Sequence, residues 1–173
     1  MSQCGYPHAV EIIARLERHD ATLCDIIIDL NHDSSGALFA FWKAIELTHS
    51  PVVSVRVVCR TRHASLIEAI VHALEHTKAP LRILVIDLSL SSSEVIQLIQ
   101  ATTCMHYLQW LNIGVSSDFS EIQVTTLLHA VELCTRERQA YNRVIERLML
   151  TIGSYAARIL RPMITRPSLR IYY

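Results

Sequence analysis

Four stretches of this chain open on one apolar spacing, and that repetition limits the possible fold more than any other feature. Leu23-x-x-Ile26-x-Ile28, Val52-x-x-Val55-x-Val57, Leu81-x-x-Leu84-x-Ile86 and Leu108-x-x-Leu111-x-Ile113 each lead into a polar turn and then a segment of helical spacing. Their starts, at positions 23, 52, 81 and 108, are almost evenly spaced. A lone strand-turn-helix unit cannot bury its own apolar face, so a chain that repeats one at a near-constant period must stack the copies. The expected fold is α/β: a solenoid of about four strand-turn-helix repeats at 23–51, 52–80, 81–107 and 108–134, with Pro51 and Pro80 stopping the helices before the next strands.

The ends are expected to differ from the middle. Residues 8–19 have helical spacing, with Ala9, Ile12, Ile13 and Leu16 on one stripe, and Leu16 stands before Leu23 at the same distance as Leu74 before Leu81. Residues 1–22 therefore read as an N-terminal helical cap. After Cys134 the repeat stops, and Tyr141, Val144, Ile145, Leu148, Met149, Ile152, Tyr155 and Ile159 fit a helical stripe. Residues 135–173 are accordingly expected to form a C-terminal helical cap and basic tail, covering the edge of the last unit.

Composition enters through size and charge. A chain of 173 residues with 51% hydrophobic content can bury a sizeable core. Its formal charge of zero hides an asymmetry: residues 1–135 hold eight Lys or Arg against fourteen Asp or Glu, and 136–173 hold eight Arg against Glu137 and Glu146. No apolar run approaches the roughly 18 residues of a membrane helix, and no charged leader precedes an apolar block at the N-terminus. Cys4, Cys24, Cys59, Cys104 and Cys134 are dispersed without a C-x-x-C pair, which fits reduced thiols in a cytoplasmic setting.

Catalytic signals are sparse. His72-Ala-Leu-Glu75-His76 matches the inverted zinc-protease pattern H-x-x-E-H. Leu66, Ile67, Ile70, Val71 and Leu74 form the apolar stripe of that helix, however, which puts both histidines on its solvent side without a third ligand. Gly5, Gly36, Gly114 and Gly153 are too far apart to cradle a phosphate. The expectation is a protein that is not an enzyme, with no cofactor, no metal and no small-molecule substrate.

The spacing resembles that of leucine-rich repeats, L-x-x-L-x-L-x-x-N/C followed by a helix, and a period of 27 to 29 with a full helix is similar to the ribonuclease-inhibitor type. Asn31 keeps the ninth position; Arg60, Ser89 and Ser116 depart from it. The resemblance covers residues 9–134 and implies a horseshoe of parallel strands lining an inner curve, with helices outside and a protein partner in the hollow. Short, irregular repeats of this kind also resemble exported bacterial effectors that act on proteins inside a host cell.

Strand alternation leads to the same surface from the residues themselves. With the first, fourth and sixth positions buried, the third, fifth and seventh face out. Those are Asp25, Ile27 and Asp29; Ser54, Arg56 and Val58; Ile83, Val85 and Asp87; Trp110, Asn112 and Gly114. Apolar anchors beside isolated charges are characteristic of protein interfaces, so Asp25, Ile27, Asp29, Arg56, Val58, Ile83, Val85, Asp87, Trp110 and Asn112 form the expected partner-binding strip. Two alternatives belong to other classes: binding of nucleic acid or an anionic membrane through Arg138, Arg143 and Arg147, and a small doubly wound α/β enzyme.

Overall fold

The computed structural model describes residues 9–29, 35–59, 64–88, 90–114, 120–140, 147–151 and 169–172. In chain order the elements are α1 (Ala9–Glu17), β1 (Asp25–Asp29), α2 (Ser35–Leu47), β2 (Ser54–Cys59), α3 (Ala64–His76), β3 (Ile83–Leu88), α4 (Ser92–Ala101) with a 3-10 turn over Thr102–Cys104, β4 (Trp110–Gly114), α5 (Glu121–Ala140), β5 (Arg147–Thr151) and β6 (Leu169–Tyr172). All six strands are parallel and pair in the order β1-β2-β3-β4-β5-β6.

Pairing fixes which residues share a row. Asp25, Ser54, Ile83 and Trp110 are aligned across β1 to β4, each at the third position of its unit, counted from Leu23, Val52, Leu81 and Leu108. The period of the apolar openings in the sequence is therefore the period of the sheet. The first-position residues Leu23, Val52, Leu81 and Leu108 are at most 5% exposed, and the fourth- and sixth-position side chains, from Ile26 and Ile28 to Leu111 and Ile113, are buried as well. From β1 to β4 one face of the sheet is thus a continuous apolar floor. Consecutive helices pack on one another above it, α1 on α2, α2 on α3, α3 on α4 and α4 on α5.

A repeated polar device joins neighbouring helices. Thr48 Oγ1 donates to the Leu16 carbonyl at 3.0 Å and accepts from Ser50 N–H at 3.0 Å. At the equivalent place one unit later, Thr77 Oγ1 donates to the Ile45 carbonyl at 2.9 Å and accepts from Ala79 N–H at 3.2 Å. In each case the hydroxyl bonds a carbonyl in the last turn of the preceding helix; Leu16 O also accepts from the His19 N–H, so Thr48 fills its second lone pair. The pattern Thr48-His-Ser-Pro51 and Thr77-Lys-Ala-Pro80 carries the device in the sequence.

Local caps set where strands and helices begin. His19, at φ 52°, ends α1 in the left-handed region, with its N–H donating to Leu16 O and that of Asp20 to Arg15 O, both at 3.0 Å. The Asp20 carboxylate then accepts from Thr22 Oγ1 (2.7 Å), Arg15 Nε (2.7 Å) and Thr22 N–H (2.8 Å). Those bonds, with the Thr22 hydroxyl foremost, hold its carboxyl well below the usual carboxylate range. Ser91 and Glu94 form a capping box at the start of α4.

The C-terminal expectation is corrected. Instead of a helix running through 136–161, α5 ends at Ala140 and residues 147–151 form β5, paired with β4; a further strand, β6, pairs with β5. The cause is visible in the residues: Ile145, Leu148 and Leu150 repeat the strand-opening spacing, while Ile145, Leu148, Met149 and Ile152 fit a helix equally well. Leu148 and Leu150 lie in register with Leu111 and Ile113, so the apolar rows of the existing sheet select the strand. The ninth positions Asn31, Arg60, Ser89 and Ser116 lie outside the described residues.

Candidate protein-binding face

With the helices stacked over the buried rows, the third, fifth and seventh positions make up the opposite face, which carries no helix among the described residues. Asp25, Ile27, Arg56 and Asp87 are exposed there, while Ser54, Val58, Ile83, Val85, Trp110, Asn112 and Gly114 are half-buried by their neighbours in the sheet. Ile27, on the edge strand, leaves 42% of its surface in water. The seventh row holds Asp29, Val58, Asp87 and Gly114 in register; the side chain of Asp29 lies outside the described residues. The pairing therefore brings the expected strip into three adjacent rows.

The rows are not chemically uniform. The fifth runs Ile27, Arg56, Val85, Asn112, with a cation flanked by apolar side chains. No ion pair engages Asp25, Arg56 or Asp87 among the described residues. Asn112 Oδ1 is buried and accepts no hydrogen bond there, although a carbonyl oxygen withdrawn from water costs roughly 1–3 kcal/mol when left unmatched. It is an acceptor without a partner among the described residues, covered by its neighbours in the sheet.

Gly114 is tied to Asp87 by space. A Cβ at position 114 would stand 2.8 Å from Asp87 Oδ1, closer than van der Waals contact allows, so the absence of a side chain lets the neighbouring carboxylate lie over β4. Sequence alternation placed Gly114 in this row but could not show that it makes room for a charged group.

The histidine motif is confined to a helix surface, as its spacing implied. His72 and His76 are exposed and their rings stack at 4.3 Å. His72 Nδ1 lies 3.2 Å from Glu46 Oε2, and His76 Nδ1 lies 2.8 Å from the His72 carbonyl. The Glu46 carboxyl is lowered chiefly by the hydrogen bond from Lys43, with His72 adding to it. Among the described residues no cluster of three or more His, Cys, Asp or Glu could hold a metal. A groove of about 350 Å³ between α1 and α2, floored by Leu16, Ala40 and Ala44, belongs to the helix layer.

Of the basic alternative, Arg143 and the side chains of Arg138 and Arg147 lie outside the described residues. The backbone of Arg147 opens β5 and is aligned with Trp110. Among the described residues no helix is long and apolar enough to cross a membrane.

Comparison with known proteins bears on the fold. No family model matches the chain, and no curated protein sequence matches it. Solved structures do. Leiomodin-1 actin-binding site 2 superposes with a TM-score of 0.54 at 10% sequence identity, covering 76% of this chain and 92% of that one. The tropomodulin C-terminal domain of Caenorhabditis elegans superposes with a TM-score of 0.53 at 13% identity, covering 78% and 97%. At these identities the likeness is one of fold: this chain is similar to the parallel α/β architecture of both domains, over nearly their whole length.

Proposed function

We propose that this chain is a non-catalytic protein-binding module of the leucine-rich-repeat type, a short horseshoe whose open strand face receives the partner. The observation that carries the reading is the composition of that face: Ile27, Val58, Ile83, Val85 and Trp110 lie in register around Arg56 and Asp87, with the unmatched Asn112 oxygen among them. Apolar side chains adjoining isolated charges on one sheet face are what protein interfaces concentrate. The fold likeness to leiomodin-1 actin-binding site 2 supports a protein partner in general and supplies actin as a first probe.

Exposed free thiols at Cys24 and Cys104 favour work in a reducing compartment, and we extend the proposal to a cytoplasmic setting, including that of a host cell reached by export. The test compares the parent with Trp110→Ala plus Arg56→Glu, in co-sedimentation with purified actin and in affinity capture from lysate. Loss of bound protein in the variant, with unchanged circular dichroism, is the expected result. Identical binding by parent and variant rejects the open face as the site.

A further inference from the structure

Because strand order follows sequence order, the charge asymmetry of the chain is laid out across the sheet, and its two edges carry opposite signs. β1 (Asp25–Asp29) has two carboxylates and no cation; β6 (Leu169–Tyr172) has Arg170 and no acid. Among the described residues β1 pairs only with β2 and β6 only with β5. Each therefore presents, among the described residues, a row of backbone donors and acceptors on its outer side, which is a template for another strand.

The donors and acceptors on the two edges are complementary. The Cys24 carbonyl accepts from Val53 and Ser54 N–H (2.8 and 3.1 Å), the Val53 carbonyl from Arg82 and Ile83 N–H (2.8 and 3.0 Å), and the Arg82 carbonyl from Gln109 and Trp110 N–H (both 2.8 Å). Even positions of each strand thus bond forward to the next strand. Since successive residues point to opposite sides, the peptide groups of Asp25, Ile27 and Asp29 face the free edge of β1, and those of Leu169 and Ile171 face the free edge of β6. Continuing the register, Leu169, Arg170, Ile171 and Tyr172 would stand beside Ile26, Ile27, Ile28 and Asp29. Arg170 then lies at the row between those of Asp25 and Asp29, and the Leu169 carbonyl meets the Ile27 N–H.

We propose that the partner of the β1 edge is the β6 edge of a second copy of this chain, so that copies add head to tail and the parallel ladder continues from one molecule into the next. Two β1 edges would bring the exposed Asp25 of each copy together, which disfavours a two-fold contact; β6 carries no acid in its sequence and one cation, Arg170. A contact between unlike surfaces does not close on itself after two copies, so mass should keep rising with concentration.

The experiment is sedimentation velocity of the full chain over a concentration series at about 0.1 M and about 1 M salt, between which the screening length falls from about 10 Å to about 3 Å. The expected result is a mass that climbs past the dimer at low salt and falls toward the monomer at high salt. Asp25→Lys and Arg170→Glu should each weaken association by about two- to fivefold, and combining them should restore it. Ile27→Pro, which removes an outward N–H without touching a bond to β2, should abolish association while circular dichroism stays unchanged. A chain that stays monomeric at low salt, a mass that stops at two, or association indifferent to Arg170→Glu overturns the proposal. Because the readout is self-association, it stands or falls separately from binding on the open face.

Discussion

The ladder from β1 to β4 and the ladder from β4 to β6 are built to the same register by different means. In the first, every row takes one residue from each unit, as Asp25, Ser54, Ile83 and Trp110 do, and α2 and α3 are both 13 residues long and start at the same position of their units. In the second, the chain between aligned positions is longer than a unit from Trp110 to Arg147 and shorter than one from Leu148 to Leu169, yet Leu148 and Leu169 still fall in line with Leu111. Strand alignment therefore does not depend on the length of chain between strands. It follows from apolar residues at alternate positions meeting an existing apolar row, and loop length adds only a slowly growing entropic cost.

The greatest loss of stability is expected from the buried rows. Leu84→Ala, in β3 at the fourth position of its unit and fully buried, should cost about 2–5 kcal/mol in urea unfolding. Leu148→Ala, at the same row of β5, should register a loss in the same transition if the irregular region belongs to the same cooperative unit. A negligible effect at Leu148 beside a large one at Leu84 would separate the two regions.

Next come the threonine bridges, found only in the regular region among the described residues. Thr48→Val keeps the shape but strands the buried Ser50 N–H and leaves the Leu16 carbonyl with only its bond from His19, so stability should fall by about 1–3 kcal/mol. Thr77→Val should cost less, because Thr77 is half-buried and water can replace its bonds. Equal losses at the two sites would contradict this ranking.

Gly114→Ala acts where the regions meet. The added methyl displaces the Asp87 carboxylate, the mobile end of a side chain, so the cost should stay below about 1 kcal/mol while partner binding on the open face changes. The smallest effect is acid-dependent. Asp20 has a lower pKa folded than unfolded, so the unfolded chain takes up its proton first as pH falls; the stability it contributes is complete above the ordinary carboxylate value and is lost below about pH 4. Asp20→Asn should flatten that part of the pH–stability curve, and parent and variant should converge in acid.

Much of the regular region could be read before any coordinates. The apolar openings at 23, 52, 81 and 108 state the strand rows directly, because parallel neighbours in register must repeat their buried positions. The C-terminal strands could not be read this way: Ile145, Leu148 and Leu150 satisfy strand and helix spacing together, and only the row presented by β4 decides between them. Thr48 and Thr77 were visible as T-x-x-P, but a hydroxyl's carbonyl partner in a neighbouring helix has no local signature. The rows of the candidate site followed from alternation, whereas the fit of Asp87 over Gly114 and the unmatched oxygen of Asn112 depend on distances across strands.

Backbone nuclear Overhauser contacts in solution test the central claim, that one sequentially ordered parallel sheet carries the open face across both regions. The account predicts interstrand amide and Hα contacts linking the rows of Asp25, Ser54, Ile83, Trp110 and Arg147, with Leu111 beside Leu148. Helical contacts running unbroken through 144–152, with none between Leu111 and Leu148, would contradict it.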